Sequence, residues 1–153
     1  MSPRRTVVVI LPDIRSTHNT GSFFRTSDGA GVSKIYLTGI TAAPPHPHLV
    51  KVSLGAEAVV PWEYHEDVLS VIAKLRAEGF QIVAVEQTPE SVHYKKAEYS
   101  QKVAVIFGNE VTGLSDEVIN TCDLVVDIPM FGKKESLNVS IAGGIILYHL
   151  MQD

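Results

Sequence analysis

A run of β-branched and aliphatic residues at 6–11, ending at Pro12, opens a repeating pattern: short apolar segment, polar turn, helix-like segment. Short β-branched runs bounded by turn residues read as strands. The pattern recurs at 34–37, 82–85, 103–107 and 124–128, the last stopped by Pro129. Segments with helical spacing lie between these runs. Residues 20–30 read as a helix with Gly31 as its stop. Residues 65–78 place Val68, Leu69, Ile72 and Leu75 on one face ahead of Gly79. Residues 115–120 carry Asp116 and Glu117 in a first turn, where the helix dipole favours acids. Residues 138–151 form an apolar closing helix through Ile141, Ala142, Ile145, Ile146 and Leu150. Strands that alternate with helices are buried on both faces. The expected fold class is therefore α/β, a mostly parallel sheet flanked by helices. The one long segment without such a pattern is 39–57, containing Pro44-Pro45-His46-Pro47-His48, and it is expected to be a proline-stiffened loop.

Composition narrows the function classes. A chain of 153 residues with 45% hydrophobic and 20% charged residues fits one globular domain, residues 1–153. No apolar run reaches the roughly 18 residues of a membrane span, so no membrane partner is expected. The stretch 7–11 follows Arg4 and Arg5 as a signal-peptide core does. It is too short, lacks a small-residue cleavage site and leads into Asp13 and Arg15. The single Cys122 excludes an intrachain disulfide and suits a cytoplasmic protein, and it reads as a small core hydrophobe. His46 and His48 have no convergent acid or thiol nearby, so no metal is expected. The net charge of −4 argues against a nucleic-acid partner. The distribution argues the other way. Residues 1–34 hold Arg4, Arg5, Arg15, Arg25 and Lys34 against Asp13 and Asp28, a net +3 that leaves −7 to the rest. A basic end of this kind can form a local phosphate-binding face.

Ligand sites in parallel sheets lie beyond the carboxyl ends of the strands. Three strand-end turns are rich in Gly, Asn and Ser, and each leads into a helix: 13–26, 108–115 and 129–140. Such turns expose backbone amides and carbonyls that can hold a polar ligand. Common nucleotide motifs are absent. The first turn has only Gly21, which is no Gly-x-Gly-x-x-Gly. Gly108 and Gly113 have P-loop spacing, but Leu114 stands where the lysine belongs. No Ser-His-Asp or Cys-His arrangement can be built from the spacing.

In these turns stand Asn19, Gly21 and Arg25; then Gly108, Glu110, Gly113 and Leu114; then Ile128-Pro129-Met130, Gly132 and the unbroken Ser136-Leu137-Asn138-Val139-Ser140. In this order they resemble the three motifs of the SpoU/TrmH family of knotted RNA methyltransferases. The resemblance spans almost the whole chain. It implies a C-terminal deep trefoil knot, which periodicity alone would never suggest because knots are rare. It further implies S-adenosylmethionine as cofactor, a homodimer that completes each active site, and methyl transfer to a ribose 2′-hydroxyl of tRNA in preference to rRNA. On this reading the extra N-terminal RNA-binding domain of many relatives is not expected. By size the chain resembles minimal relatives that act on the anticodon wobble position. Two alternatives are a non-catalytic RNA-binding or assembly module of the same fold and a base methyltransferase.

The resemblance also assigns residues. Arg25 is the leading catalytic residue, either as the base for the 2′-hydroxyl or as a bidentate clamp on an RNA phosphate. A guanidinium pKa above about 12 makes the first role demanding. Asn19 is expected to fix the turn and position Arg25, or to cap the helix. Glu110 is expected to orient Arg25 or contact substrate. Ser136 and Asn138 are expected on the substrate side of the cofactor, or as caps of the final helix. The cofactor residues expected are Val85, Glu86, Gln87, Gly108, Asn109, Gly113, Ile128, Met130, Ser136 and Leu137. Arg15, Arg25 and Lys51, with Ser53, are expected to contact RNA; Phe23 and Phe24 could stack on bases, with helical core packing the expected role of at least one.

Overall fold

The computed structural model describes residues 4–152. In chain order the elements are β1 (Thr6–Pro12), α1 (Thr17–Ala30), β2 (Lys34–Thr38), α2 (Pro47–Ser53), β3 (Trp62–His65), α3 (Val68–Ala77), β4 (Gln81–Val85), β5 (Val92–His93), β6 (Lys102–Phe107), α4 (Asp116–Asn120), β7 (Leu124–Asp127) and α5 (Val139–Leu150). The strands form one sheet in the order β3-β2-β1-β6-β4-β7-β5, and every described pairing is parallel. Among the described residues no helix is long and apolar enough to cross a membrane.

The central strands are apolar along their whole length because both faces are covered. In β1, Val7, Val9 and Leu11 pack with Phe23 and Phe24 of α1 and with Ile146, Leu147 and Leu150 of α5. Val8 and Ile10 point to the other face, against Val71, Ile72 and Leu75 of α3 and Val118 of α4. Each such fully buried side chain contributes about 1.5–3 kcal/mol. Close approach of the helices on the first face needs glycine. A Cβ on Gly143 would stand 2.4 Å from Phe23 Cε1, and one on Gly21 would stand 2.7 Å from the Leu49 carbonyl.

Four expectations need correction. Helix α1 starts at Thr17 rather than at residue 20, because the Ser16 hydroxyl accepts the Asn19 N–H at 3.1 Å and caps it. The segment 65–78 is not all helix. His65 ends the edge strand β3, paired with Thr38, and α3 begins after the Asp67 cap. The stretch 39–57 is not an irregular loop. His46 Nδ1 accepts the His48 N–H at 3.2 Å and starts α2, which packs on α1 through buried Leu49. Phe23 and Phe24 are both fully buried, so neither can stack on a base.

The connection between β4 and β6, residues 86–101, wraps the end of β7. Glu86 N–H donates to the Val126 carbonyl at 3.0 Å, and Tyr94 N–H donates to the Asp127 carbonyl at 2.9 Å. Strand β7 thus lies between β4 and β5, a strand of that same connection. The chain enters β7 from α4 on one face and leaves it for α5 on the other.

Candidate active site

Strands β4, β6 and β7 end at the same edge of the sheet, and their following loops enclose a cavity of about 570 Å³. This falls within the ordinary range for a small-molecule site, about 300–1,000 Å³. Val85, Glu86, Gln87, Gly108, Asn109, Gly113, Ile128, Met130, Ser136 and Leu137 all line it. Every residue expected to hold the cofactor is therefore brought to one place. Sequence reading missed Phe107, Val111, Thr112, Asp127, Val139 and Ala142 in the lining. The signals were present: Phe107 and Asp127 end strands, and Val139 and Ala142 are three apart at the start of a helix.

The loop after β6 is shaped by two glycines and two side chains. Asn109 Oδ1 accepts the N–H groups of Val111 (2.9 Å) and Thr112 (2.8 Å), folding the loop back on itself. The turn closes where Gly113 N–H donates to the Asn109 carbonyl. Gly113 has φ +66, which only glycine adopts freely. Glu86 then pins the loop to β4, its Oε2 accepting the Leu114 N–H at 2.9 Å. A Cβ on Gly113 would stand 2.5 Å from that same oxygen, and one on Gly108 would stand 2.9 Å from Gly113 Cα. Glu86 therefore lines the cavity and also holds its wall.

Glu110 joins this loop to α1. Its carboxylate accepts the N–H groups of Arg15 (3.0 Å) and Ser16 (2.8 Å) and the Nδ2–H of Asn19 (3.1 Å). Partial burial pushes its pKa up, but the amide donors of Arg15, Glu110 itself, Ser16 and Asn19 outweigh it and hold the carboxyl below the usual carboxylate range. The expected direct contact of Glu110 with Arg25 is absent, because three nearby amides occupy the carboxylate. Asn19 is buried and lies within α1, so it does not cap that helix. Asn138 does cap α5: its Oδ1 accepts the Ser140 N–H at 2.9 Å and the Ile141 N–H at 3.4 Å. Asn138 Nδ2 donates to Asn19 Oδ1 at 3.4 Å. Glu110, Ser136 and Asn138 line the cavity; Asn19 and Arg25 do not.

Arg25 is exposed on α1 and makes no hydrogen bond or ion pair with the described residues. The side chains of Arg15 and Lys51 are likewise exposed. Ser53 is buried, and its hydroxyl donates to Glu57, so it is not available to RNA. Burial pushes the Cys122 thiol up to about 11, and its S–H donates to the Val118 carbonyl, which suits an inert packing residue.

The model of the SpoU rRNA Methylase family matches residues 6–148. The chain belongs to that family. A tRNA (guanosine(18)-2'-O)-methyltransferase of Aquifex aeolicus is 32% identical to this family member over 149 residues, covering 95% of this chain and 68% of the relative. The enzyme of the same name from Borreliella burgdorferi is 32% identical over 142 residues, covering 93% of this chain and 64% of the relative. Among solved structures, the AdoMet-bound rRNA methyltransferase from Sinorhizobium meliloti superposes with a TM-score of 0.89 at 32% identity, covering 97% of this chain and 56% of that one. The chain therefore spans only part of the length of these relatives.

Proposed function

We propose that this chain is an S-adenosylmethionine-dependent RNA methyltransferase acting on a ribose 2′-hydroxyl, with tRNA preferred to rRNA. One observation carries the reading: the cavity at the carboxyl ends of β4, β6 and β7 gathers every residue that the family resemblance leads us to expect around the cofactor. The lining fits that group. Val85, Phe107, Ile128 and Leu137 offer apolar walls for an adenine, and the Gly108 turn exposes backbone polar groups for its ribose and amino-acid ends. When bound, S-adenosylmethionine supplies a methyl group already activated on a sulfonium.

The protein's part is positioning. Glu86 and Asn109 hold the loop that walls the cavity. Glu110 and Asn19 fix the start of α1, the helix that carries Arg25. Asn138 ties that helix to α5 and presents Ser136 and itself at the cavity mouth. Arg25, exposed and unpaired among the described residues, is the group we assign to the RNA phosphate and the 2′-hydroxyl. Arg15 and Lys51 extend the phosphate contacts.

The knot, the dimer and the setting belong to the same proposal. A chain that passes from one face to the other between β4 and β5, inside the connection 86–101, supports a C-terminal trefoil knot. Ile141 and Tyr148, 56% and 52% exposed and two turns apart on α5, leave an apolar stripe that suits a second copy. Arg25 lies outside its own chain's cavity lining, which fits a site completed across a homodimer. Residues 1–153 act as one methyltransferase domain, cytoplasmic and without a metal.

The test is direct. Calorimetry should detect binding of S-adenosylmethionine, and labelled methyl groups should pass to RNA. Nuclease digestion and mass spectrometry should place the mark on the ribose. A mark lost with the base favours base methylation instead. Cofactor binding and transfer both absent on total RNA would sink the enzyme reading.

A further inference from the structure

The loop between β7 and α5 lines the cavity through Met130, Ser136 and Leu137 at its two ends, yet its middle faces solvent. Phe131 is 94% exposed. A Cβ on the neighbouring Gly132 would meet nothing within 4 Å, so the loop tip has no packing partner. Lys133 and Lys134 are exposed and form no ion pair with the described residues. No hydrogen bond ties residues 131–137 to the rest of the described chain.

We propose that Phe131 stacks on a nucleobase of the substrate RNA at the mouth of the cavity, with Lys133 and Lys134 holding the flanking phosphates. This inference rests on the RNA methyltransferase reading and names the part of the site that grips the strand. An aromatic ring in water contributes nothing to this fold, since the hydrophobic effect favours its removal from solvent. Its place, one residue from Met130 in the cavity wall, puts it where an RNA must arrive to offer a ribose. An aromatic face beside cations is the chemistry that binds single-stranded nucleic acid: the base stacks and the ammonium groups neutralise phosphate. The composition of the tip disfavours a contact between protein copies. Interface cores are depleted of lysine and glutamate, and Lys133, Lys134 and Glu135 beside the ring place three charged groups there. The apolar stripe that suits a second copy lies on α5 instead.

The experiment compares the full chain with Phe131→Ala, Phe131→Tyr and the double change Lys133→Ala with Lys134→Ala. RNA affinity is read by direct titration with the RNA that the unaltered chain methylates, and with unfractionated tRNA if none is found. Phe131→Ala should weaken RNA binding and raise the KM for RNA by about 5- to 100-fold, the range of one lost base stack. Affinity for S-adenosylmethionine should not move, and Phe131→Tyr should restore most of the loss. The double lysine change should lower the salt dependence of RNA binding by a slope of about two. Unchanged RNA affinity in Phe131→Ala overturns the proposal. So does a fall in sedimentation mass for that variant, which assigns the ring to contact between copies. If the unaltered chain transfers no methyl group while Phe131→Ala still weakens RNA binding, the enzyme reading fails and the stacking contact stands.

Discussion

Glu110 Oε2 accepts the Nδ2–H of Asn19 at 3.1 Å, across 91 residues of sequence. The same oxygen accepts the Ser16 N–H, and the far side of the Asn19 amide accepts from Asn138. One buried amide thus joins the first, second and third strand-end turns.

Glu110→Gln should therefore loosen the start of α1. The variant keeps one carbonyl oxygen but turns the other acceptor into a donor facing amide N–H groups. Unfolding by denaturant should show a loss of about 1 kcal/mol, with methyl transfer falling more than cofactor affinity. An unchanged midpoint would mean that the contact is not a stabilising one.

The same carboxylate predicts a pH dependence. Its folded pKa lies below the ordinary value of 4.5, so its contribution is fully present above 4.5 and is lost as the pH falls through the folded value. The stability gap between the unaltered chain and Glu110→Gln should be full at neutral pH and shrink below about 4.5. Parallel unfolding series in acid would reveal a gap that stays constant, and that result would contradict the assignment.

Gly113→Ala should damage the cavity wall. The position has φ +66, and the new methyl would stand 2.5 Å from Glu86 Oε2, the acceptor for Leu114. We expect a stability loss of about 1–3 kcal/mol and at least a tenfold weaker cofactor. Glu86→Gln should weaken the cofactor too, and the pair should be non-additive because both act on one loop. Calorimetric titration of the two single variants and the double variant measures this; simple additivity would show that Glu86 and Gly113 act separately.

Arg25→Ala should abolish methyl transfer while leaving cofactor binding and the unfolding midpoint intact, since the exposed side chain makes no hydrogen bond or ion pair with the described residues. Arg25→Lys should recover little, because a single ammonium cannot reproduce a planar bidentate contact. Full activity in Arg25→Ala would falsify its role.

Gly143→Ala tests the seam between α1 and α5. The added methyl would stand 2.4 Å from a ring carbon of fully buried Phe23, so about 1–3 kcal/mol of stability should be lost through overpacking. Thermal unfolding reads the loss directly. A neutral result would show that the ring can shift aside.

Much of this was legible in the residues. Local chemistry marks the β-branched runs, Gly31 after the first helix and the three polar turns, so the parallel α/β class follows without coordinates, while the cofactor residues rest on the family resemblance of those turns. The misses share a cause. Strands β3 and β5 are edge strands of four and two residues, too short for a pattern to stand out, and pairing with β2 and β7 makes them strands. Helix α2 begins on the His46 ring, a cap that proline-rich sequence conceals. Phe23 and Phe24 are adjacent in a helix, and nothing local says that α2, α5 and the sheet leave neither facing water.

The opening contact draws the same line. The sequence placed Asn19, Glu110 and Asn138 in strand-end turns, and the family resemblance marked those turns as functional. It could not say that Glu110 would spend its acceptors on α1 instead of Arg25. Nor could it say that Asn138, rather than Ser136, would cap α5. Those outcomes depend on which amides come within 3 Å once the sheet brings three chain segments to one edge. Hydrogen bonding is decided at that distance, and separation along the chain does not encode it.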